Sequence, residues 1–388
     1  ATSVAAQAGP DVIVGDISDT GNYGQFGGVS AFALGTVSCN IGTTTLLWQA
    51  SNPNHPVIGQ NLYRLKGGRF EQIGLSWLKH GFTALAGSLC NSCQNPGTGS
   101  LLGVGCSDPY SAGLNGSQSG LGPRSQVNAA TGAFPYPPAN PGWSGVIARR
   151  LQVQNTDLDA ALNAGAVYIT ETQYVTNDDA AAGNKNNNAS YRPCNVSYNA
   201  GQSRYELALT GSTVRTKPAL YAWQALDPVN VAVNIVDVSG DGRYHVAWKK
   251  TSLGGGMWNY EIALHNLSSD RSAQAFAMAY PAGTVVQNVG FHDVDYHSGD
   301  GVVSGTNFSG TDWTSSIGAT SLTWATQTFA QSQNANALRW GSTYNFRFDA
   351  NDADLDQATL TMFKPGSPSS VGFTLCPPQP YFPPVTGG

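Results

Sequence analysis

Residues 229–265 read VNVAVNIV DVSGDG RYHVAWK KTSLGGGM WNYEIALH, and this stretch decides the fold class. Three short apolar segments, Val229 to Val236, Arg243 to Lys249 and Trp258 to His265, are separated by Gly- and Asp-rich turns, the signature of successive strands. The same rhythm continues through Ala273 to Ala279, Val285 to Phe291, Ser321 to Thr328, Thr343 to Asp349 and Gln357 to Phe363. Eight short strands at this spacing predict an Ig-like or jelly-roll sandwich.

Toward the N-terminus the same grammar is looser. Val12 to Val14, Val29 to Leu34 and Thr43 to Trp48 read as strands, and Gln60 to Phe70 reads as a hairpin around Gly67-Gly68. Gln72 to Phe82 is apolar and contains Trp77 and His80. Residues 91–145 lack periodicity; a loop of that length inside a domain needs pinning, here by Cys93, Cys106 and polar side chains. A helix is expected from Thr156, ended by Gly165. Strands follow at Ala166 to Val175 and Tyr205 to Leu209. Gly211, Pro218 and Pro228 interrupt the pattern and place a boundary near 210–228. The expectation is a mainly β chain of two β-sandwich-like domains with at most one or two short helices. Residues 1–215 form an N-terminal domain with disulfide-pinned loops, 216–375 a C-terminal sandwich, and 376–388 a Pro-rich tail.

Composition narrows the setting. Only 11% of the 388 residues are Asp, Glu, Lys or Arg, against about 25% in soluble proteins, so solubility rests on Asn, Ser, Thr, Gln and backbone. A net charge of −5, with no Lys/Arg run longer than two, excludes a nucleic-acid partner, which requires a concentrated cationic face. No apolar run is long enough for a membrane-spanning helix. Ala1 opens the chain without a charged leader, as expected once a signal peptide has been removed. The six cysteines, Cys39, Cys90, Cys93, Cys106, Cys194 and Cys376, are expected to be disulfide-bonded in an oxidising compartment, their connectivity open. Cys90 and Cys93 have neither the second ligand pair of a zinc site nor the βαβ context of a thioredoxin. The chain is therefore read as secreted or held at the cell surface.

Several phrases are distinctive: Val14-Gly-Asp16, His55 to Arg64, Ser76 to Phe82, Gly105 to Tyr110, Gly254 to Trp258 with Tyr260-Glu261, Asn336 to Gly341, Tyr344 to Arg347 and Leu360 to Gly366. Over close to the whole chain they resemble a family of exported hypothetical proteins common in Planctomycetes and similar bacteria. The resemblance implies a bacterial exported protein and transfers no catalytic residue.

Four constellations carry potential chemistry. In Phe291-His-Asp-Val-Asp-Tyr-His-Ser298, strand alternation would put Asp293, Asp295 and His297 on one face and His292 on the other, a divalent-metal arrangement. His55 and His80 in the first half, with His245, His265, His292 and His297 in the second and Met257, Met278 and Met362 available, invite a two-domain copper oxidoreductase reading, weakened by the absence of His-His or His-x-His. Asp178 and Asp179, with Asn186 and Asn188, offer oxygens for Ca²⁺ or a sugar. Asp237 to Gly242 lacks the distal Glu of a calcium loop and reads as a tight turn. No nucleophile elbow and no spaced carboxylate pair is visible.

Three functions follow. The first is an extracellular structural or surface-assembly protein, a filament or envelope subunit self-associating through its termini. The second is a secreted His/Asp metalloenzyme with Ca, Cu or Zn as cofactor. The third is a glycan-binding protein. They differ in what they require: contacts at the termini, a polar cluster buried in a pocket, or aromatic side chains exposed beside a shallow groove.

Overall fold

The computed structural model describes residues 7–139, 142 and 144–377. Thirteen strands precede residue 210: β1 (Val12–Phe26), β2 (Val29–Asn40), β3 (Leu46–Leu47), β4 (Val57–Lys66), β5 (Arg69–Leu75), β6 (Leu78–His80), β7 (Leu101–Leu102), β8 (Ser107–Tyr110), β9 (Leu121–Gly122), β10 (Leu151–Gln154), β11 (Val167–Val175), β12 (Ala189–Asn199) and β13 (Arg204–Leu209). Ten follow residue 230: β14 (Val231–Asp237), β15 (Arg243–Gly254), β16 (Met257–Asn266), β17 (Ala273–Ala279), β18 (Val286–His292), β19 (Thr314–Ile317), β20 (Ser321–Ala325), β21 (Ser342–Ala350), β22 (Gln357–Met362) and β23 (Ser370–Thr374). No ladder among the described residues joins the two sets. Helices are short but number four rather than one or two: α1 (Ala112–Asn115), α2 (Asn155–Leu158), α3 (Asn177–Ala182) and α4 (Leu220–Leu226). The helix expected from Thr156 is a single turn, because Asp159 already leaves helical backbone at ψ 119°. None is long and apolar enough to cross a membrane.

In the first half, eight strands follow the order β1-β2-β10-β5-β4-β11-β12-β13 within an eleven-stranded antiparallel sheet. The sheet rolls until its two end strands meet, and side chains close the seam. Thr20 Oγ1 donates to Leu207 O at 2.8 Å, Leu207 N donates to Asn22 Oδ1 at 3.0 Å, and Gln25 Nε2 donates to Ser203 O at 2.9 Å. Val14, Ile17, Phe32, Leu34, Ile58, Leu62, Leu151 and Tyr174 fill the interior.

The second half is a sandwich. Sheet β14-β15-β16-β21-β18 faces sheet β19-β20-β17-β22-β23 across an aromatic core that includes Tyr244, Trp248, Tyr260, Phe276, Trp324 and Phe346. The expected alternation is obeyed: on β15, Tyr244, Val246 and Trp248 enter this core, while His245 and Ala247 face outward.

That outward face is not solvated, because the first half covers it. Alternation on β4 and β11 therefore serves two cores: Ile58, Leu62, Tyr168 and Tyr174 point into the rolled sheet, whereas Tyr63 and Ile169 point to the other half. Ala247 and Ala263 are small enough to admit α4, whose Trp223 stacks on Phe70 with ring centroids 6.4 Å apart.

Hydrogen bonds bind the same interface. Arg124, 5% exposed, donates from Nε to Ser76 O (2.6 Å), from Nη2 to Gln60 O (3.0 Å) and Asn61 Oδ1 (2.9 Å), and from Nη1 across to Gly341 O (3.2 Å). Thr343 N donates to Gln72 Oε1 at 2.7 Å, Asn345 Nδ2 to Phe70 O at 2.7 Å, and Trp340 Nε1 to Val127 O at 2.9 Å. Gly341 sits at φ +72°, and a Cβ there would lie 2.4 Å from Arg124 Nη1. Gly341→Ala should therefore cost at least ~2 kcal/mol, read as a lowered urea midpoint. An unchanged midpoint would mean that the guanidinium is not held against this turn.

Candidate functional site

The hairpin of β12 and β13 pairs Tyr198 with Tyr205 in register, and their rings meet edge-on with centroids 5.0 Å apart. Tyr198 is 53% exposed. Two further segments come up beside them: the β1–β2 turn, where Gly27 and Gly28 take φ +60° and +83°, and the β10–α2 junction at Asn155. Together they enclose an open groove of about 460 Å³ lined by Gln25, Asn155, Asp159, Ser197, Tyr198 and Tyr205, with Leu158 and Val196 as apolar surface.

The polar members are held in place. Ser30 Oγ donates to Asn155 Oδ1 at 2.7 Å, Asn155 Nδ2 donates to Gln25 Oε1, and Asp159 Oδ1 accepts from Ala161 N at 2.8 Å. Neither tyrosine hydroxyl has a hydrogen-bond partner among the described residues. Burial and the nearby Asp159 carboxylate push the Tyr205 phenol up, so it remains a donor. Flat aromatic faces, fixed amides, one carboxylate and two unengaged hydroxyls form a surface suited to polyhydroxylated ligands.

The sequence candidates lie elsewhere. β18 ends at His292, so Asp293, Asp295 and His297 are not on a strand and do not share a face. Asp293 accepts from Asn336 Nδ2, Asp295 Oδ2 accepts from Gln154 Nε2 at 3.0 Å, and buried His297 donates from Nε2 to Leu75 O at 2.9 Å. His292 is separate from all three contacts. Among the described residues no three His, Cys, Asp or Glu side chains converge as metal ligands. The expected copper arrangement also fails to assemble, because Met278 and Met362 lie in the sandwich core while His245 and His265 lie on the opposite face of their sheet.

His55 and His80 do come together. His55 Nδ1 must donate to Gln49 O (2.9 Å), which leaves His55 Nε2 to accept from His80 Nδ1 (2.9 Å). Phe134 and Tyr136 enclose the pair. Burial, then His55 and Lys79, push the His80 imidazole down to about 3. It is a two-residue relay rather than a ligand set.

Asp178 is consumed by Leu47 N (2.7 Å), Thr176 Oγ1 and Asp179 N, and Asn186 Oδ1 accepts from Ser268 Oγ. Asp179 and Asn188 lie buried at the start of β1, remote from the groove at its other end. Asp241 accepts from Ser269 Oγ and from the amides of Asp270 and Arg271, and Asp237 pairs with Arg243 at 2.7 Å. The enclosed space between the halves, lined by Arg124, Tyr296, Asp300 and Arg339, is about 20 Å³ and admits little more than a water molecule.

Cysteine pairing is also partial. Cys39 bonds Cys90 and Cys93 bonds Cys106, pinning only the first part of the expected loop of residues 91–145. Cys194 and Cys376 are unpaired. Cys194 packs inside the rolled sheet, where burial pushes its thiol up to about 12, whereas Cys376 follows β23 in the other half. The sequence holds N-x-S/T sequons, acceptors for N-glycosylation, at Asn115, Asn188, Asn195, Asn266 and Asn307; Asn115, Asn188 and Asn266 are buried, and Asn195 and Asn307 are exposed. The groove residues escaped the sequence reading because they come from four separate segments. The one local signal was Tyr198-Asn-Ala-Gly-Gln-Ser-Arg-Tyr205, a turn flanked by tyrosines.

Comparison with known proteins finds no family model that matches the chain and no curated protein similar to it.

The His80 relay makes stability pH-dependent. The folded imidazole takes its proton near pH 3 and an unfolded one at about 6.5, so the folded state holds fewer protons between these values. The stability contributed by neutral His80 is fully present above about pH 6.5 and is lost as pH falls toward 3. The advantage of the wild type over His80→Gln should therefore shrink by ~1.4 kcal/mol per pH unit across that window, measured by urea titration. Parallel pH profiles would contradict the relay.

Proposed function

We propose that this chain is an exported glycan-binding protein that takes a neutral oligosaccharide along the groove between Gln25 and Tyr198. The observation that carries the reading is the Tyr198–Tyr205 pair, Tyr198 exposed and Tyr205 half-buried beside fixed amides, with neither hydroxyl engaged among the described residues. Sugar rings present apolar C–H faces to aromatic rings and hydroxyl rims to amides and carboxylates, and this wall offers both. Binding is favoured over hydrolysis because, among the described residues, Asp159 alone brings a carboxylate to the groove, whereas glycoside hydrolysis commonly employs two. Two disulfides support an oxidising, extracellular setting, and the family resemblance points the same way. On a glycan array the chain should retain a subset of neutral oligosaccharides. Tyr198→Ala should weaken that binding at least ~10-fold while moving stability by no more than about 0.5 kcal/mol, since the ring is half exposed. A blank array, or binding indifferent to Tyr198, would sink the proposal.

A second reading, self-assembly, is favoured by β19. All four of its residues are exposed and none is ionisable, so its free edge carries none of the charge or proline that usually blocks sheet-to-sheet pairing. The termini first considered for this role, residues 1–6 and 378–388, lie outside the described residues. Gel filtration should show concentration-dependent oligomers that Ile317→Lys abolishes; a monomer at all concentrations argues against assembly.

A further inference from the structure

Two imidazoles lie in the interface between the halves, away from both the tyrosine groove and the β19 edge. His245 on β15 and His265 on β16 are direct cross-strand partners, on the face of their sheet that is turned from the sandwich core toward the first half. They are 3% and 0% exposed, with ring centroids 6.5 Å apart. Each is engaged at one nitrogen. His245 Nδ1 meets the Tyr221 hydroxyl of α4 at 3.3 Å, and His265 Nδ1 meets Thr343 Oγ1 at 2.9 Å. Both Nε2 atoms are buried with no hydrogen-bond partner among the described residues.

The elements packed against the pair offer it no counter-charge. From the first half, β4 brings Tyr63, whose hydroxyl stands between Thr343 Oγ1 and Glu171 Oε1. Glu171 on β11 is already taken by Asn61, Tyr63 and the Ala219 amide. Arg124 is the charge that His265 senses, and it repels a second cation. In the second half, Asp237 of β14 and Arg243 of β15 lie near His245 but pair with each other at 2.7 Å, and α4 presents Tyr221 with the Lys217 ammonium over its ring at 5.3 Å.

A protonated imidazole donates from both nitrogens, so acid places two adjacent cations here, each with an N–H that meets no acceptor. Burial, then the other imidazole and Arg243, push His245 down to about 3; burial, then Arg124, does the same to His265. The interface is where this cost can be relieved. No ladder among the described residues joins the halves, the chain passes between them once, through residues 210–230, and the aromatic core lies on the opposite face of β15 and β16. Parting the halves returns both rings to water without breaking either sheet.

We propose that the His245–His265 pair makes the interface an acid-released joint, closed at neutral pH with both rings neutral and parted in acid with each half still folded. The closed form holds fewer protons than the parted one, in which the imidazoles recover the ordinary value of about 6.5. Closure is at full strength above about pH 6.5, and its equilibrium constant falls by up to ~10-fold per pH unit for each imidazole as pH drops toward 3. The same acid reaches His80, but its contacts with His55, Phe134 and Tyr136 all lie within the first half, so its protonation weakens that half and not the joint.

The test follows the full chain from pH 8 to pH 3.5, by small-angle X-ray scattering for its radius of gyration and by circular dichroism for its strands. The radius should rise before the strand signal is lost, and neutralisation should reverse the change. His245→Gln and His265→Gln should each halve the steepness of the expansion with pH, and together they should move its onset down by at least ~1 pH unit, in a His80→Gln background as well. The single variants keep the test independent of whether the double variant folds. A radius unchanged down to pH 3.5, an expansion that coincides with loss of the strands, or an onset and steepness unmoved in the variants would overturn the proposal.

Discussion

Arg124 donates to oxygens on both halves of the molecule and forms no ion pair among the described residues, and the arrangement of the two cores depends on those bonds. One nearby anion, Glu171, is reached through one intermediary: Asn61 accepts from the guanidinium with its oxygen and donates to Glu171 Oε1 at 2.7 Å with its nitrogen. Glu171 accepts in addition from Tyr63 and from the Ala219 amide that leads into α4. Removing one member of such a set strands a desolvated charge, at a typical cost of ~3–5 kcal/mol. The two halves are therefore fixed relative to each other, and the second half backs strands β4 and β11 that also wall the rolled sheet.

This explains how much of the fold the sequence disclosed. Alternation is a local property, so most of the strands of residues 229–363 were legible. The Gly67-Gly68 hairpin was legible as well, since both glycines take positive φ. Alternation tells which residues share a face but not what covers that face. The run Tyr168 to Val175, buried on both sides, looks the same whether its second face meets helices, another sheet or, as here, the outer wall of a sandwich.

The candidate sites failed for a related reason. Phe291 to Ser298 satisfies a metal pattern only if the strand continues past His292, and the side chains beyond it are taken instead by hydrogen-bond partners 43, 141 and 222 residues distant. His55 and His80 were grouped only as the histidines of the first half, and nothing in either local sequence signals that one imidazole completes the other. The tyrosine groove combines segments near residues 25, 155 and 200, a juxtaposition set by how the sheet rolls. Cysteine count was a sound guide to two disulfides and a poor one to the remaining two, since Cys194 is buried inside the rolled sheet and Cys376 is exposed after β23.

The closure of the rolled sheet has a dynamic consequence. Between β1 and β13 the facing amides meet side chains where a ladder would normally run, so the first half can part along this line without breaking any strand pairing. An opening along such a line breaks side-chain bonds but no ladder, and amide hydrogen exchange would register it. Because the strand that borders it runs from the buried carboxylates near Val12 to the tyrosine groove at Phe26, whatever tightens either end of β1 restrains the same opening, and protection measured along β1 would register it.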